Sequence, residues 1–396
     1  MEQKTTKFIQ YGKQTIEEED IGAIVDVFRE NKFLTTGPRV KQFEDQVCQM
    51  TQADFAIAVS NGTTALHCAV NAINLQPGEE VIVPAITFAA TANCVLYEKG
   101  VPVFCDIIEE TLNIDPTKIE ELITPKTRAI IMVDMCGQIP DYLQIRKICQ
   151  RHNLVLIEDS AHTIGLQVKS LLPNQPYVGN IADLTTFSFH PVKNMTTGEG
   201  GMITTNNEVY AKRMFQFRNH GINTEYQNRK LYEYDISELG YNYRLTDFQC
   251  ALGISQLRRV KKWVSRRQEI AKIYDDVFEQ YSKLFKPLVN KFDCAYHLYI
   301  IRLNLENLDC DRDQIFKELK EHGIGVNLHY KPVYLHSLYQ KLPEIKSDIG
   351  LCPSAESVYQ RMITIPLFPT LTPEEINTVI IQVINVITSH SILSQV

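Results

Sequence analysis

Lys193 stands between a strand-like run and a glycine-rich turn. Residues 184–187 are bulky or β-branched, which favours a strand, and glycine occupies positions 198, 200 and 201. Open α/β sheets bind ligands at the carboxyl ends of their strands, which is where Lys193 would lie. A lysine that is partly desolvated beside a cofactor can lose its proton and form a Schiff base. A solvated loop lysine fits the same local pattern, so the choice depends on residues elsewhere.

Three further features offer what such a cofactor needs. Asp159 ends an apolar run and could pair with a protonated ring nitrogen, or simply cap the next helix. The turn at residues 60–64 leads into a helical pattern, so Gly62 and Thr63 could hold an anion on their N–H groups. Phe88 follows another strand-like run and could stack on a ring, or fill the core. Schiff-base lysine, carboxylate, anion cradle and aromatic ring together meet the requirements of pyridoxal phosphate (PLP).

The elements that must position these residues alternate along the first two thirds of the chain. Strand-like runs, with helical patterns between them, cover residues 56–59, 80–83, 101–106, 129–133, 154–158 and 202–205. This alternation predicts an α/β fold with a mostly parallel, doubly wound sheet. Beyond about residue 283 the pattern becomes a mixture of short strands and helices. We therefore predict a large α/β domain with an N-terminal arm over residues 1–270 and a smaller α+β domain over residues 271–396.

Local patterns make four more predictions. Thr15 and Glu18 have the spacing of a capping box at the start of the first helix. Residues 246–281 are strongly helical, and their basic cluster is predicted to face solvent. The cluster comprises Arg258, Arg259, Lys261, Lys262, Arg266 and Arg267. Residues 221–234 are predicted to form a surface loop, and residues 326–329 a strand.

Composition excludes several classes of function. The net charge of the 396 residues is −7, which argues against a general nucleic-acid surface or an anionic membrane as partner. The ten cysteines form no CxxC pair and the ten histidines no HxxxH pair, so no metal site is expected. No apolar run is long enough to span a membrane, and the N-terminus lacks a signal-peptide core. The expected location is the cytoplasm, where cysteines stay reduced.

Six motifs resemble one known family over nearly the whole chain. They lie at residues 60–66 (SNGTTAL), 83–93 (VPAITFAATAN), 158–162 (EDSAH), 187–201 (FSFHPVKNMTTGEGG), 218–221 (RNHG) and 239–253 (LGYNYRLTDFQCALG). In these motifs the chain resembles the DegT/DnrJ/EryC1/StrS sugar aminotransferases. The resemblance implies the type I fold of PLP-dependent aminotransferases, in which the cofactor alternates between PLP and pyridoxamine phosphate (PMP).

The resemblance also implies a role for each cofactor residue. Lys193 carries the Schiff base and, with Asp159 at the pyridine nitrogen, forms the catalytic pair. Phe88 stacks on the ring at a position where relatives often have Tyr or Trp, and His162 lies against the other face or near the phenolic oxygen. The cofactor phosphate is bound by Gly62, Thr63, Ser188 and, from the neighbouring subunit, Asn242. An active homodimer with shared sites follows from that last residue.

Within the family, the resemblance is to members that act in pseudaminic acid synthesis. Those members aminate C4 of a UDP-linked 4-keto-6-deoxy-2-acetamido hexose, with L-glutamate as the expected amino donor. The implied substrate site is formed by Tyr11, Lys32, Phe33, Leu34, Thr35, His329, Tyr330, Lys331 and Pro332. Three alternatives stay open at this point: amination of another UDP- or dTDP-linked 3-keto or 4-keto sugar, sugar dehydration, and a non-catalytic PLP-binding regulator. The presence of Lys193 favours transamination, because the dehydrating members carry histidine at that position.

Overall fold

Two β-sheets organise the computed structural model, which describes residues 8–169, 177–224, 230 and 233–393. The seven-stranded sheet contains β1 (Phe55–Val59), β2 (Glu80–Pro84), β3 (Val101–Cys105), β4 (Thr127–Val133), β5 (Val155–Asp159), β6 (Leu184–Ser188) and β7 (Gly201–Thr205). The three-stranded sheet contains β8 (Phe285–Pro287), β9 (Tyr299–Leu303) and β10 (Met362–Ile365). The predicted α/β class is confirmed.

The large sheet has the strand order β1-β7-β6-β5-β4-β2-β3. Its strands are parallel except β7, which pairs antiparallel with both β1 and β6. The middle strands are buried along almost their whole length, because helices cover both faces, and so their sequences are nearly continuous apolar runs. The carboxyl ends of β1, β4, β5 and β6 therefore lie at one edge of the sheet, where the predicted site residues follow them.

The α-helices are α1 (Glu18–Glu30), α2 (Pro38–Thr51), α3 (Gly62–Ala72), α4 (Ala90–Tyr97), α5 (Tyr142–His152), α6 (Glu208–Arg218), α7 (Asp247–Leu257), α8 (Val260–Phe278), α9 (Arg312–Glu321), α10 (Pro353–Tyr359) and α11 (Pro373–Ser389). The two faces of the large sheet pack into separate apolar cores. Ile57 and Val59 of β1 belong to one core, and Ala56 and Ala58 to the other, as the two-residue period of a strand requires. A third core joins the small sheet to α8, α9 and α11.

The start of α1 differs from the predicted capping box. Glu17 is the N-cap residue, and the backbone N–H of Glu17 donates to Oδ2 of Asp20 at 2.9 Å. Thr15 instead offers its carbonyl to the side chain of Gln256. The sequence favoured Thr15 because threonine is a common N-cap residue, but in the structure Glu17 and Asp20 make the capping interaction two residues further on.

The predicted helical stretch of residues 246–281 is divided into α7 and α8, which meet at Arg258 and Arg259. Its basic cluster is only partly solvated, so that prediction is wrong for two members. Arg267 is 1% exposed, and Arg259 forms an ion pair with the fully buried Asp20. A helical pattern places a side chain on a face, but it cannot show that the face is covered by a distant segment.

Residues 326–329 do not form the predicted strand. They make one isolated bridge, between Asn327 and Thr364 of β10. The predicted surface loop at residues 221–234 lies partly outside the described residues. Helix α8 runs across the predicted domain boundary at residue 270, and the division at that residue remains a prediction. Among the described residues, no helix combines the length and apolar character needed to cross a bilayer.

Candidate active site

A cavity of about 450 Å³ opens at the carboxyl ends of β5 and β6, beside the first turn of α3. It brings together ten residues that the sequence placed in the site. They are Tyr11, Gly62, Thr63, Phe88, Asp159, His162, Ser188, Lys193, His329 and Tyr330. Residues from the N-terminal arm, the large sheet and the segment before β10 thus converge on one space, although they are spread over some three quarters of the sequence.

Seven other predicted residues lie outside this cavity: Lys32, Phe33, Leu34, Thr35, Lys331, Pro332 and Asn242. Residues 32–35 are exposed, and Thr35 forms a bridge with Thr246 just before α7. Asn242 is also exposed and forms a backbone bridge with Asn219. Lys331 and Pro332 directly follow the cavity residue Tyr330. A single chain therefore does not bring the whole predicted set together.

The first turn of α3 forms an anion cradle. Asn61 caps the helix, since its Oδ1 accepts from the N–H of Thr64 at 2.8 Å and the Thr64 hydroxyl accepts from the N–H of Asn61 at 3.1 Å. The helix itself cannot supply partners for the N–H groups of Gly62 and Thr63, which line the cavity. A Cβ atom on Gly62 would lie 2.8 Å from Cβ of Ser188, so glycine is what allows β6 to approach the cradle.

Asp159 is fixed at the carboxyl end of β5. Its Oδ2 accepts from the Thr91 hydroxyl at 2.8 Å, and its Oδ1 accepts from the N–H of Ala161 at 3.2 Å. The residue is 6% exposed, and burial raises its pKa, while the bond from Thr91 and the charge of Lys193 act in the opposite direction. A carboxylate in such a place gains strongly from a cationic partner, because the low-dielectric surroundings penalise an isolated charge.

Lys193 lies in the tight segment after β6, where its backbone N–H donates to the carbonyl of His190 at 2.9 Å. Burial lowers the pKa of its ammonium to about 8, and the nearby charge of Asp159 only partly offsets that effect. A substantial fraction of this lysine is therefore neutral, and so nucleophilic, near physiological pH.

Two aromatic residues complete the walls of the cavity. Phe88 is 57% exposed, so it is not the core residue that the sequence also allowed; its ring lies 5.9 Å from that of Tyr330. His162 is 4% exposed, and its Nδ1 is buried without a hydrogen-bond partner. Burial lowers the pKa of His162 well below its usual value, so the ring is neutral. Its orphaned nitrogen is available to a polar group of a bound molecule.

The sequence comparison that decides the family covers most of the chain. Residues 14–384 match the model of the DegT/DnrJ/EryC1/StrS aminotransferase family. This chain belongs to that family. The spore coat polysaccharide biosynthesis protein SpsC of Bacillus subtilis is 36% identical over 387 residues, which cover 96% of this chain and 97% of SpsC.

Solved structures of other aminotransferases superpose closely on this DegT/DnrJ/EryC1/StrS chain. PseC of Helicobacter pylori, an aminotransferase of pseudaminic acid biosynthesis, matches with a TM-score of 0.88 and 31% identity over 97% of this chain and 100% of PseC. Spr1654 of Streptococcus pneumoniae, described as a sugar aminotransferase, matches in its PMP form with a TM-score of 0.88 and 32% identity, over 96% of this chain and 98% of its own. A PLP form of Spr1654 matches equally well. The fold is thus that of PLP-dependent aminotransferases.

The cavity of this aminotransferase fits a phosphorylated pyridine ring on three observations. The first turn of α3 provides free N–H groups at a site that a side chain on Gly62 would fill. Asp159 is a buried carboxylate close enough to Lys193 for their charges to interact. The third observation is the orphaned nitrogen of His162.

Several residues that line the cavity were missed by the sequence analysis, and four of them have side chains that could bind a ligand. His297 packs on His162 with ring centroids 4.3 Å apart, and it too is buried with an unpartnered Nδ1. His190, Glu199 and Asn327 also line the cavity. His190 and Glu199 are part of the motif around Lys193 and could have been predicted from it. His297 and Asn327 lie more than a hundred residues further on, in segments whose local pattern indicates nothing beyond an extended chain.

Proposed function

We propose that this aminotransferase uses PLP to move an amino group from L-glutamate to C4 of a UDP-linked 4-keto-6-deoxy-2-acetamido hexose. The product would be an amino sugar for surface glycans. The observation that carries the proposal is that Lys193 shares one cavity with Asp159 and the anion cradle of α3. The similarity to PseC, named for pseudaminic acid biosynthesis, supports the sugar, and the similarity to SpsC supports a role in polysaccharide synthesis.

The cofactor phosphate would be held by N–H groups of Gly62 and Thr63 and by the Ser188 hydroxyl. No arginine is among the described residues that line the cavity, so neutral donors and the dipole of α3 must offset the phosphate charge. Phe88 would stack on one face of the ring, and His162 would lie near the other face or the phenolic oxygen. When bound, PLP supplies an electron sink for the electron pair left when a proton leaves the carbon next to nitrogen.

Asp159 and Lys193 would do the chemical work of the chain. Asp159 keeps the ring nitrogen protonated, because a buried carboxylate favours a cation beside it. Lys193 takes the proton from Cα of the amino donor, and in the second half-reaction it gives a proton to C4 of the sugar. Its lowered pKa of about 8 suits both directions, because a base and its conjugate acid are both populated near that pH.

The sugar would enter past Tyr11, His329 and Tyr330. His329 packs against Tyr11 with ring centroids 5.3 Å apart, and its Nδ1 is hydrogen-bonded to the Thr364 hydroxyl at 2.8 Å. Burial lowers the pKa of His329 to about 3, so it would serve the sugar or diphosphate as a neutral donor or acceptor. Lys331 and Pro332 follow in the same segment and would extend this side of the site.

The exposed residues would complete the site across a dimer interface. Asn242 would reach the cofactor phosphate of the partner subunit, and residues 32–35 would line the partner's sugar site. This arrangement accounts for their distance from the cavity of their own chain, and Thr35 is bridged to Thr246 in the segment that also carries Asn242. We propose that the active form is a cytoplasmic homodimer.

The test is an assay of the purified, PLP-loaded protein with L-glutamate and a panel of UDP- and dTDP-linked 3-keto and 4-keto sugars. We expect 2-oxoglutarate and a product aminated at C4, identified by mass spectrometry and NMR, from the UDP-linked 2-acetamido sugar. Amination of a different sugar would support the proposed transaminase activity but contradict the proposed substrate. A dehydrated product would indicate the dehydrating branch of the family, and no turnover on the whole panel would favour a PLP-binding regulator.

A further inference from the structure

Two fully buried carboxyl groups, Asp134 and Glu158, lie next to the cofactor site without belonging to the cavity. Both side chains are 0% exposed. Glu158 and Asp159 are consecutive in β5, so their side chains point to opposite faces of the sheet, and only Asp159 lines the cavity. Asp134 follows the neighbouring strand β4, in which Met132 is the partner of Glu158. Asp134 and Glu158 are therefore on the same face, close to each other.

The hydrogen bonds of this pair leave one oxygen of each carboxyl group without a partner. Asp134 Oδ2 accepts from the hydroxyls of Ser160 and Thr163 at 2.8 and 2.7 Å, and Glu158 Oε2 accepts from the Thr185 hydroxyl at 2.8 Å. Asp134 Oδ1 and Glu158 Oε1 are buried without such a partner, yet the two side chains are within hydrogen-bonding reach of each other. One proton between these oxygens would satisfy both, whereas two bare carboxylates would repel each other.

We propose that Asp134 and Glu158 share one proton and act as a positioning pair for the turn at residues 159–163, which carries Asp159 and His162. This inference rests on the proposed function only in so far as Asp159 and His162 serve a bound cofactor. Neither member of the pair touches the cavity, so both act through that turn.

The positioning role follows from the contacts of Asp134. Its backbone N–H donates to the carbonyl of Asp159 at 3.1 Å, and its side chain holds the hydroxyls of Ser160 and Thr163, on either side of His162. The turn is thus fastened to β4 at three points. Without the carboxyl group, two buried hydroxyls would lose their acceptor and His162 would lose its fixed backbone.

The shared proton limits the charge beside Asp159. Burial raises the pKa of both Asp134 and Glu158, and the charge of Asp134 raises that of Glu158 further. Among the described residues, the titratable groups that interact with the pair include Asp159, Tyr142 and Cys294, and none of these three is a cation. A doubly ionised pair would add two negative charges next to Asp159, and a singly protonated pair adds one.

Infrared spectroscopy of the cofactor-free full-length protein tests the proton directly. At neutral pH we expect a protonated-carboxyl C=O band in the wild type that is lost in Asp134→Asn and in Glu158→Gln, because each amide replaces the shared proton by an N–H donor. Glu44→Gln is the matched control: Glu44 is also buried, but it is paired with Arg218 at 2.6 Å and lies outside the pair, so the band should remain. Absence of the band in the wild type, which needs no variant to fold, would overturn the proposal, and so would a band that survives in either single variant.

A pH titration of the cofactor-loaded enzyme, followed by absorbance, tests whether the charge of the pair affects the cofactor site. The quantity compared is the pH midpoint of the absorbance change. Both single amide variants should keep the wild-type midpoint, since they keep one negative charge. The double variant Asp134→Asn/Glu158→Gln removes that charge and should lower the midpoint by about one pH unit. Asp134→Leu, which frees both hydroxyls, should weaken cofactor retention at least about tenfold. Single variants that shift the midpoint as far as the double variant would contradict a shared proton. If the wild type fails to transaminate, the proposed function fails while the infrared result stands on its own.

Discussion

Lys193 is half-buried in the segment after β6, whereas most other lysines whose surroundings the structure describes are exposed. Lys272, for comparison, has a side chain 76% exposed on α8 and forms only a surface pair with Asp276. The lowered pKa of Lys193 has its main cause in lost hydration, and that loss depends on how the segment after β6 closes against the site. Its reactivity is thus a property of its position, which the glycine-rich turn and β6 together determine.

Replacing Lys193 by alanine should abolish transamination, because Lys193 is the residue proposed to move the proton. Borohydride reduction of loaded wild type, followed by peptide mapping, should place the pyridoxyl group on the peptide that contains Lys193, and Lys193→Ala should retain none. Lys272→Ala is the control and should behave as wild type. A reduced pyridoxyl group on a different peptide of the wild type would refute the assignment.

The pKa of Lys193 also predicts a pH dependence. Only the neutral amine captures the cofactor, so the capture rate of the cofactor-free protein should rise roughly tenfold per pH unit at low pH. It should level off above a pH of about 8, where the ammonium has lost its proton. Stopped-flow absorbance measures this rate, and a plateau reached only above the pKa of an ordinary lysine would contradict the burial argument.

Asp159→Asn should reduce turnover strongly while cofactor binding falls only moderately. The amide keeps the size and the bond from Thr91 but not the charge, and each pKa unit lost at the ring nitrogen corresponds to about 1.4 kcal/mol. The measurement compares the single-turnover rate with the dissociation constant of the cofactor. Asp276→Asn, 65% exposed in its side chain, is the control. Near-normal turnover in Asp159→Asn would show that the charge of Asp159 is not needed in the mechanism.

The sequence revealed those residues that are marked both by their chemical type and by their position at the end of a recognisable strand. Gly62, Asp159 and Lys193 each follow or end a strand of one sheet, and the common edge of a parallel sheet predicts that they converge. His297 carries no such mark, and Asp134, although it follows β4, gives no sign in the sequence of its pairing with Glu158. Their roles depend on which segment covers the histidine and which strand neighbours β5, and these are tertiary facts.

Among the elements, helix α3 has its first turn packed closely against β6. Gly62→Ala should lower the affinity for PLP, because the new Cβ would lie 2.8 Å from Cβ of Ser188 and push the cradle from β6. Gly22→Ala on α1 is the matched control, since its Cβ would meet no atom within 4 Å. That change should leave PLP affinity unaltered and add about 0.5–1 kcal/mol of stability through helix propensity. Equal PLP affinity of Gly62→Ala and wild type, by fluorescence titration, would show that the cradle does not need this close approach.

Helix α8 carries two adjacent arginines, of which Arg267 is buried and Arg266 is partly exposed. Arg267 is buried and donates to the carbonyls of His297 and Leu367 at 3.2 and 2.8 Å, so it joins the helix to the entry of β9. Arg267→Ala leaves these carbonyls unpaired and should lower the free energy of unfolding by about 3 kcal/mol. Arg266→Ala, which loses only an exposed pair with Glu269, should cost less than about 1 kcal/mol. Urea denaturation measures both, and equal losses would contradict the structural role of Arg267.

The elements were predicted better than their ends and surroundings. The strands of the large sheet lie within a few residues of the predicted runs, because fully buried strands are marked by continuous apolar sequence. At the division between α7 and α8, Gln256 and Arg259 reach across the chain to Thr15 and Asp20 at the start of α1. A pattern within one helix contains no record of such a partner.

At the scale of the whole molecule, apolar side chains around Asn242 remain uncovered in the single chain. Leu239 and Tyr241 are 82% and 41% exposed, and Phe33 and Leu34, in the segment bridged to residue 246, are half exposed. Exposed apolar residues that cluster in this way are typical of protein–protein interfaces. The cluster is where the proposed dimer would bury both Asn242 and residues 32–35.

A mixing experiment tests shared sites. Lys193→Ala and Asn242→Asp should each be inactive, the latter because a carboxylate would repel the cofactor phosphate. In a mixed dimer one site would carry both lesions and the other none, so activity should return to about a quarter of the wild-type value when the two mutants are mixed equally and exchange freely. Each mutant alone, shown to be dimeric and to exchange subunits, is the control. No recovery under those conditions would mean that Asn242 serves its own chain or no site.

The position of β7 between β1 and β6 has a consequence for synthesis on the ribosome. Among the strands that the structure describes, β1 pairs only with β7, which follows it after five other strands of the same sheet. At about 5–20 residues per second, β1 leaves the ribosome on the order of ten seconds before its partner exists. During that interval the nascent chain holds an unpaired apolar strand next to the unfinished cradle. The cofactor therefore cannot assist the early steps of folding, because the pairing that completes this side of the sheet forms only after translation has passed residue 205.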